Sequence, residues 1–234
     1  MTATLLNLVG EQHATLFPRK RKADGTVVNT SKTERVGSGV RTVVRDPKAI
    51  TGIGLHQTAC VFGPADRDKA HRRALSVPAH VTAFRDGVYV QAAPLLWFLY
   101  HGNALNPFTL GLECEGQYPG LLDDPRTPRR EDERSFWGDE PTPLTPEAIE
   151  CFRAAFAFLV VEGRRLGCPI AHVWAHRQSN GDKPSDPGQA IWCEVAEHGC
   201  REHGLTARYA DVFPGRSPGK PIPAAWAPGG IGPY

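Results

Sequence analysis

His176 is followed ten residues later by Asp186, and the interval is made largely of turn formers, Ser179-Asn180-Gly181-Asp182-Lys183-Pro184-Ser185. A loop of that composition folds back on itself and can bring an imidazole and a carboxylate to one point. His56, at the end of the apolar stretch Ile50 to Leu55, supplies a second imidazole from elsewhere in the chain. Two histidines and an aspartate, with a fourth position open to water, are the ligand set of a catalytic zinc ion. Zinc held in this way lowers the pKa of bound water towards ~7 and polarises a carbonyl, chemistry suited to amide hydrolysis. Asp186 has a competing reading as a helix N-cap ahead of Pro187-Gly188, and sequence leaves both open.

Strand alternation says how such residues could meet, because successive side chains point to opposite faces. Over Ile50 to His56, Ile53 and Leu55 share one face while Gly52, Gly54 and His56 share the other. Over Thr109 to Glu115, Leu110, Leu112 and Cys114 oppose Gly111, Glu113 and Glu115. Over Ala171 to His176, Val173 and Ala175 oppose His172, Trp174 and His176. Three strands thus each carry a polar residue on the face away from their aliphatic residues. The glycines on that face leave room for a ligand to approach the backbone. His80, His172 and Trp174 read as packing groups or supports rather than ligands.

The remaining elements frame these strands. Pro78 to Arg85 and Val88 to Ala93 flank Asp86-Gly87, a hairpin signal. Thr145-Pro146 predicts an N-cap and first helical residue; Ile149, Phe152, Phe156, Leu159 and Gly163 follow at helical spacing, with a stop at Gly167. Gln189 to His203 predicts a last helix ending at Gly204. Strands mixed with two clear helices argue for one α/β domain with a mixed sheet. Residues 1–48 read as an irregular N-terminal extension, 49–234 as the catalytic domain. Residues 116–143 read as a long surface loop, and a Pro/Gly-rich tail closes the chain.

Composition narrows the function classes. With 234 residues, 41% hydrophobic and 22% charged, the chain is long enough for one sizeable core. A net charge of +2 gives no case for nucleic acid, and the basic run Arg19 to Lys22 lacks interleaved aromatics, so it reads as a solvated arm. No stretch approaches the ~20 apolar residues of a membrane span; Pro94 to Tyr100 is too short. The start of the sequence has no secretory pattern, so synthesis in the cytoplasm without a signal peptide is expected. The six cysteines lack paired C-x-x-C spacing and read as reduced, small core residues. Cys193, His198, Cys200 and His203 do not share one helix face, which argues against a second metal site.

Four segments occur in an order that resembles a known family. They are Leu55-His56-Gln57-Thr58-Ala59; Ala79-His80 with Arg85-Asp86-Gly87; Thr109-Leu110-Gly111-Leu112-Glu113-Cys114-Glu115-Gly116; and His176 through Asp186-Pro187-Gly188. Together, over about Ile50 to Cys200, they resemble the type-2 N-acetylmuramoyl-L-alanine amidases, relatives of peptidoglycan recognition proteins and several phage lysins. The resemblance implies a mixed central sheet flanked by helices, with zinc in a surface groove held by His56, His176 and Asp186. It implies that Glu113, rather than its neighbour Glu115, is the general base, and that His101 lines the substrate groove. The implied substrate is peptidoglycan or a muropeptide, cut between N-acetylmuramic acid and L-alanine, either in the wall by a lysin or in the cytoplasm. The alternative it carries is a recognition domain of the same fold that binds without cutting. One departure bears on mechanism: relatives commonly place an oxyanion-stabilising lysine two residues before the aspartate. Here that position is Pro184, with Lys183 one place further away. Loss of an oxyanion donor costs ~10²–10³ in rate.

Overall fold

The computed structural model describes residues 2–9, 19–21, 27–29, 31–36, 39–63, 65–120, 141–207 and 219–226. In chain order the strands are β1 (Thr4–Asn7), β2 (Arg19–Arg21), β3 (Val27–Asn29), β4 (Thr33–Val36), β5 (Gly39–Thr42), β6 (Gly52–Gln57), β7 (Val81–Ala83), β8 (Val88–Gln91), β9 (Thr109–Cys114), β10 (His172–Ala175) and β11 (Thr206–Ala207). Seven of them form one sheet in the order β1-β8-β7-β9-β6-β10-β11. Only β7 and β8 run antiparallel in it, through a turn in which Gly87 takes φ 84°, a left-handed value that glycine adopts without strain. The others pair in parallel. β2 with β3 and β4 with β5 make two separate antiparallel ribbons. The expected mixed α/β sheet is therefore present.

Helix α1 spans Arg67–Arg72 and α2 spans Pro146–Arg165. The α2 start follows from local chemistry: Thr145 Oγ1 accepts the Ala148 N–H at 3.2 Å, and Pro146 occupies the first turn, where its missing N–H costs nothing. Its buried stripe is Ala148, Cys151, Phe152, Ala155, Phe156, Leu159, Val160 and Gly163, the i, i+3, i+4 pattern of a core-facing helix. Ala148 rather than the expected Ile149 heads that stripe. Helix α3 is continuous over Gln189–Ile191, a π-helical turn Trp192–Ala196 and Glu197–His203, and stops at Gly204 with φ 63°. No helix among the described residues is long and apolar enough to cross a membrane.

Alternation in β6, β9 and β10 assigns the two faces of the sheet. Ile53, Leu55, Leu110, Leu112, Val173 and Ala175 pack with Phe152, Phe156 and Leu159 of α2 in the main core. Burying side chains of this size contributes ~1.5–3 kcal/mol each, which makes this face the principal source of stability. The opposite face carries His56, Thr82 and Trp174, each buried.

The N-terminal residues depart from the sequence reading. Residues 1–48 are expected to be irregular, yet β1 pairs with β8 at the sheet edge, Leu5 opposite Tyr89 and Leu6 opposite Val90. All four residues of β1 are exposed, so no apolar alternation marks the strand; its place comes from the ladder alone. Residues 121–140 of the expected loop, Lys22 of the basic run, and residues 208–218 and 227–234 of the tail lie outside the described residues.

Candidate metal centre

His56 lies in β6, a strand buried along its whole length, and its ring has 0% exposure. Parallel pairing sets Glu113 of β9 directly opposite it, and Thr82 of β7 opposite Glu113. Neighbouring strands lie ~4.7–4.9 Å apart, so the Glu113 side chain leaves the sheet beside that of His56. β10 is next to β6 on the other side, with Ala175 opposite Leu55; His176 follows immediately, in a 3₁₀ turn over His176–Gln178.

The loop after His176 closes onto β6 by specific hydrogen bonds. Arg177 N–H donates to the Asp186 carbonyl at 3.0 Å. Gln57, last residue of β6, donates its backbone N–H to Asp186 Oδ1 at 3.0 Å and its side-chain amide to the Ser185 and Tyr118 carbonyls at 2.7 and 2.9 Å. This disposes of the N-cap reading of Asp186: α3 begins at Gln189 behind Gly188 with no side-chain cap, while the carboxylate is turned towards β6.

His56, His176 and Asp186 therefore meet, each offering a ligand atom within 4.8 Å of the others. Asp186 Oδ2 lies 2.9 Å from His176 Nδ1, and the His56 and His176 ring centroids are 4.6 Å apart. Burial first, and then His176, push the pKa of His56 well below 6.5, leaving the neutral ring a metal requires. Burial alone would raise the Asp186 carboxyl, but His176, His56 and Lys183 outweigh it and hold it below its usual 3.8. The donor set fits a metal on a further ground: His56 Nδ1 is buried without a hydrogen-bond partner, which is costly unless something else occupies it. Two imidazoles and a carboxylate can hold one divalent cation here, and zinc suits them. This is the one such group of His, Cys, Asp and Glu among the described residues, and the Cys193 to His203 set is not another.

The other sequence candidates separate in the structure. Glu115 is fully buried and accepts from the Phe62 and Arg85 N–H groups and from Arg67 Nη2 at 3.0 Å, a structural ion-pair cluster. Glu113 is partly exposed and lies directly opposite His56 across the ladder. Lys183 is exposed and one residue before Pro184, close enough for its charge to bear on both His56 and Asp186. His101 was expected along a substrate groove; it is 4% exposed, with Nδ1 3.0 Å from His56 Nε2 and Nε2 3.3 Å from Thr109 Oγ1. The space above the glycines also differs from expectation. A Cβ on Gly54 or Gly111 would meet the His101 ring at 3.1 or 2.7 Å, and one on Gly52 would meet Trp174 at 2.5 Å. Side chains, not a ligand, fill that room.

Sequence reasoning missed Asn103 and Arg45. Asn103 Oδ1 is 2.9 Å from His176 Nε2, on a backbone with φ 55°. Arg45 is buried and donates to the Leu95, Asn106 and Thr109 carbonyls at 2.9, 2.9 and 2.6 Å, bracing the connection that carries His101 and Asn103. Burial lowers its pKa to about 9. No local pattern announces either residue, since both act across tens of residues of sequence.

No protein-family profile matches the sequence, and no curated protein does. Among solved structures, the fold is similar to the endolysin N-acetylmuramoyl-L-alanine amidase LysCS of Clostridium intestinale URNW, at 15% identity and a TM-score of 0.44 over 70% of this chain and 90% of that one. The amidase LysC from the same organism gives 15% and 0.44 over 70% and 92%. The Ph2119 endolysin of Thermus scotoductus MAT2119 bacteriophage Ph2119 gives 18% and 0.43 over 68% and 89%.

Proposed function

We propose that the chain is a zinc-dependent amidase that hydrolyses the bond between N-acetylmuramic acid and L-alanine in peptidoglycan. The observation that carries the reading is the convergence of His56, His176 and Asp186 within 4.8 Å on the polar side of β6, with Glu113 across the ladder. The particular amide is supported by the order of the four sequence motifs.

In this reading His56, His176 and Asp186 hold the ion. Bound zinc supplies a Lewis acid that polarises the carbonyl and makes water acidic enough to attack at neutral pH. Glu113 takes a proton from the attacking water and delivers it to the leaving amine nitrogen. Lys183 offers its ammonium to the oxyanion as charge develops there. His101 supports the His56 ring through the 3.0 Å contact between its Nδ1 and His56 Nε2.

The test is mass spectrometry of purified cell wall after incubation with the protein, with and without a chelator. New L-alanine amino termini paired with free muramyl carboxyl groups, abolished by chelator and restored by zinc, are expected. An unchanged wall would contradict the reading. Metal binding and wall binding with no new termini would favour the recognition-domain alternative, for which Pro184 in the oxyanion-lysine position is the specific sequence observation.

A further inference from the structure

We infer that His101-Gly102-Asn103 is a positioning segment: it fixes the ring proton of both histidine ligands on Nε2 and so turns both Nδ1 lone pairs towards one metal ion. The inference rests on the metal reading above and deepens it. It follows from two hydrogen-bond chains, each ending on a backbone group whose polarity leaves no choice.

The first chain starts at the Leu105 carbonyl, which only accepts. Thr109 Oγ1 lies 2.8 Å from it and must donate its single hydrogen there. The Thr109 oxygen is then an acceptor for His101 Nε2 at 3.3 Å, so His101 carries its proton on Nε2. Its Nδ1 accepts, and His56 Nε2, 3.0 Å away, is the donor. What remains on His56 is the Nδ1 lone pair, buried and without a hydrogen-bond partner.

The second chain starts at the Asp182 N–H, which only donates, 2.9 Å from Asn180 Oδ1. With its oxygen so placed, Asn180 presents Nδ2 to Asn103 Oδ1 at 3.3 Å. Asn103 Oδ1 is therefore an oxygen and not a misassigned nitrogen, and it accepts from His176 Nε2 at 2.9 Å. His176 Nδ1 is left facing Asp186 Oδ2 at 2.9 Å, two lone pairs that need a positive charge between them.

The segment is built to hold this arrangement. Gly102 donates its N–H to Asn106 Oδ1 at 2.7 Å and accepts from Ser179 Oγ at 2.8 Å, tying it to both flanking loops. A Cβ on Gly102 would stand 3.1 Å from His56 Cε1 and 3.1 Å from the Leu105 side chain, so any larger residue would have to push the His56 ring or Leu105 aside. Asn103 sits in the left-handed region at φ 55°, which asparagine tolerates better than most side chains. Partners that orient histidine ligands from outside typically change metal affinity 10–100-fold when removed.

The experiment combines zinc affinity by chelator competition with long-range ¹H–¹⁵N spectra of histidine-labelled protein. Asn103→Gly keeps the backbone freedom of φ 55° but removes the acceptor; Asn103→Asp keeps an acceptor oxygen; Thr109→Val breaks the other chain. We expect a His56 Nε2–H tautomer in metal-free wild type and zinc-shifted Nδ1 on both ligands after loading. Zinc affinity should fall ~10–100-fold in Asn103→Gly and Thr109→Val, and return in Asn103→Asp. A His56 Nδ1–H tautomer, or wild-type affinity in both acceptor-deleting variants, would overturn the inference. If wild type binds no zinc, the metal reading fails by itself; the metal-free His56 spectrum then decides here, Nε2–H sustaining the positioning role and Nδ1–H ending it.

Discussion

The two faces of β6, β9 and β10 are held by different physics. The face under α2 is aliphatic and closely packed: Leu55, Leu110 and Leu112 against Phe152, Phe156 and Leu159. Its contacts are non-directional, and one side chain can substitute for another at a modest cost in volume. The opposite face is polar and directional. His56, His101, Thr109, His176 and Asn103 meet there through hydrogen bonds whose donors and acceptors are fixed in turn, and Asp186 Oδ2 stands 2.9 Å from His176 Nδ1. Damage to the first face should therefore lower stability and leave the chemistry of surviving molecules intact. Damage to the second should do the reverse.

The largest break is expected at Glu113. Glu113→Ala should retain zinc and fold while losing hydrolysis by ~10²–10⁴, the usual worth of a general base, read in a wall-digestion assay beside a zinc determination. Undiminished activity would remove its assigned role. On the other face Phe152→Ala should cost ~3–5 kcal/mol in urea unfolding, with zinc affinity and the activity of folded protein unchanged. If Phe152→Ala instead abolished metal binding in folded protein, the division between faces would not hold.

Acid acts strongly on the polar face, where His80 and His101 are buried. Burial, with Arg45 next in importance, holds His80 well below 6.5; burial and then His80 do the same to His101. In the unfolded chain these rings titrate near 6.5, so below that pH the unfolded state binds more protons than the folded one. Their contribution is fully present above pH 6.5 and is lost as pH falls towards the depressed folded values. Metal-free protein should thus be less stable to urea at pH 5 than at pH 7.5, by less in His80→Asn. Equal stability at the two pH values would contradict the burial of neutral rings. The smallest effect is at the edge of the aliphatic face, where Thr145→Ala should remove the α2 cap and cost ~1 kcal/mol with activity untouched.

Much of this division is legible in the sequence, and the reason is periodicity. Alternation in Ile53 to His56, Leu110 to Glu113 and Val173 to His176 separates the two faces, and Thr145-Pro146 marks the start of α2. The turn-rich interval from His176 to Asp186 makes their approach foreseeable. The limits are as instructive. β1 carries no alternation because it is an exposed edge that takes its position from β8. Gly54 and Gly111 show from sequence that space exists, but whether His101 or a ligand occupies it depends on a contact across the sheet. Asn103 and Arg45 act through backbone geometry and long-range hydrogen bonds, which leave no periodic trace.

Equilibrium zinc titration of the purified chain asks whether His56, His176 and Asp186 hold an ion together. One tightly bound ion per chain is expected in wild type, with affinity collapsing in each of His56→Ala, His176→Ala and Asp186→Ala while folding persists. A wild-type protein that takes up no zinc, or three variants that bind it as wild type does, would contradict the account.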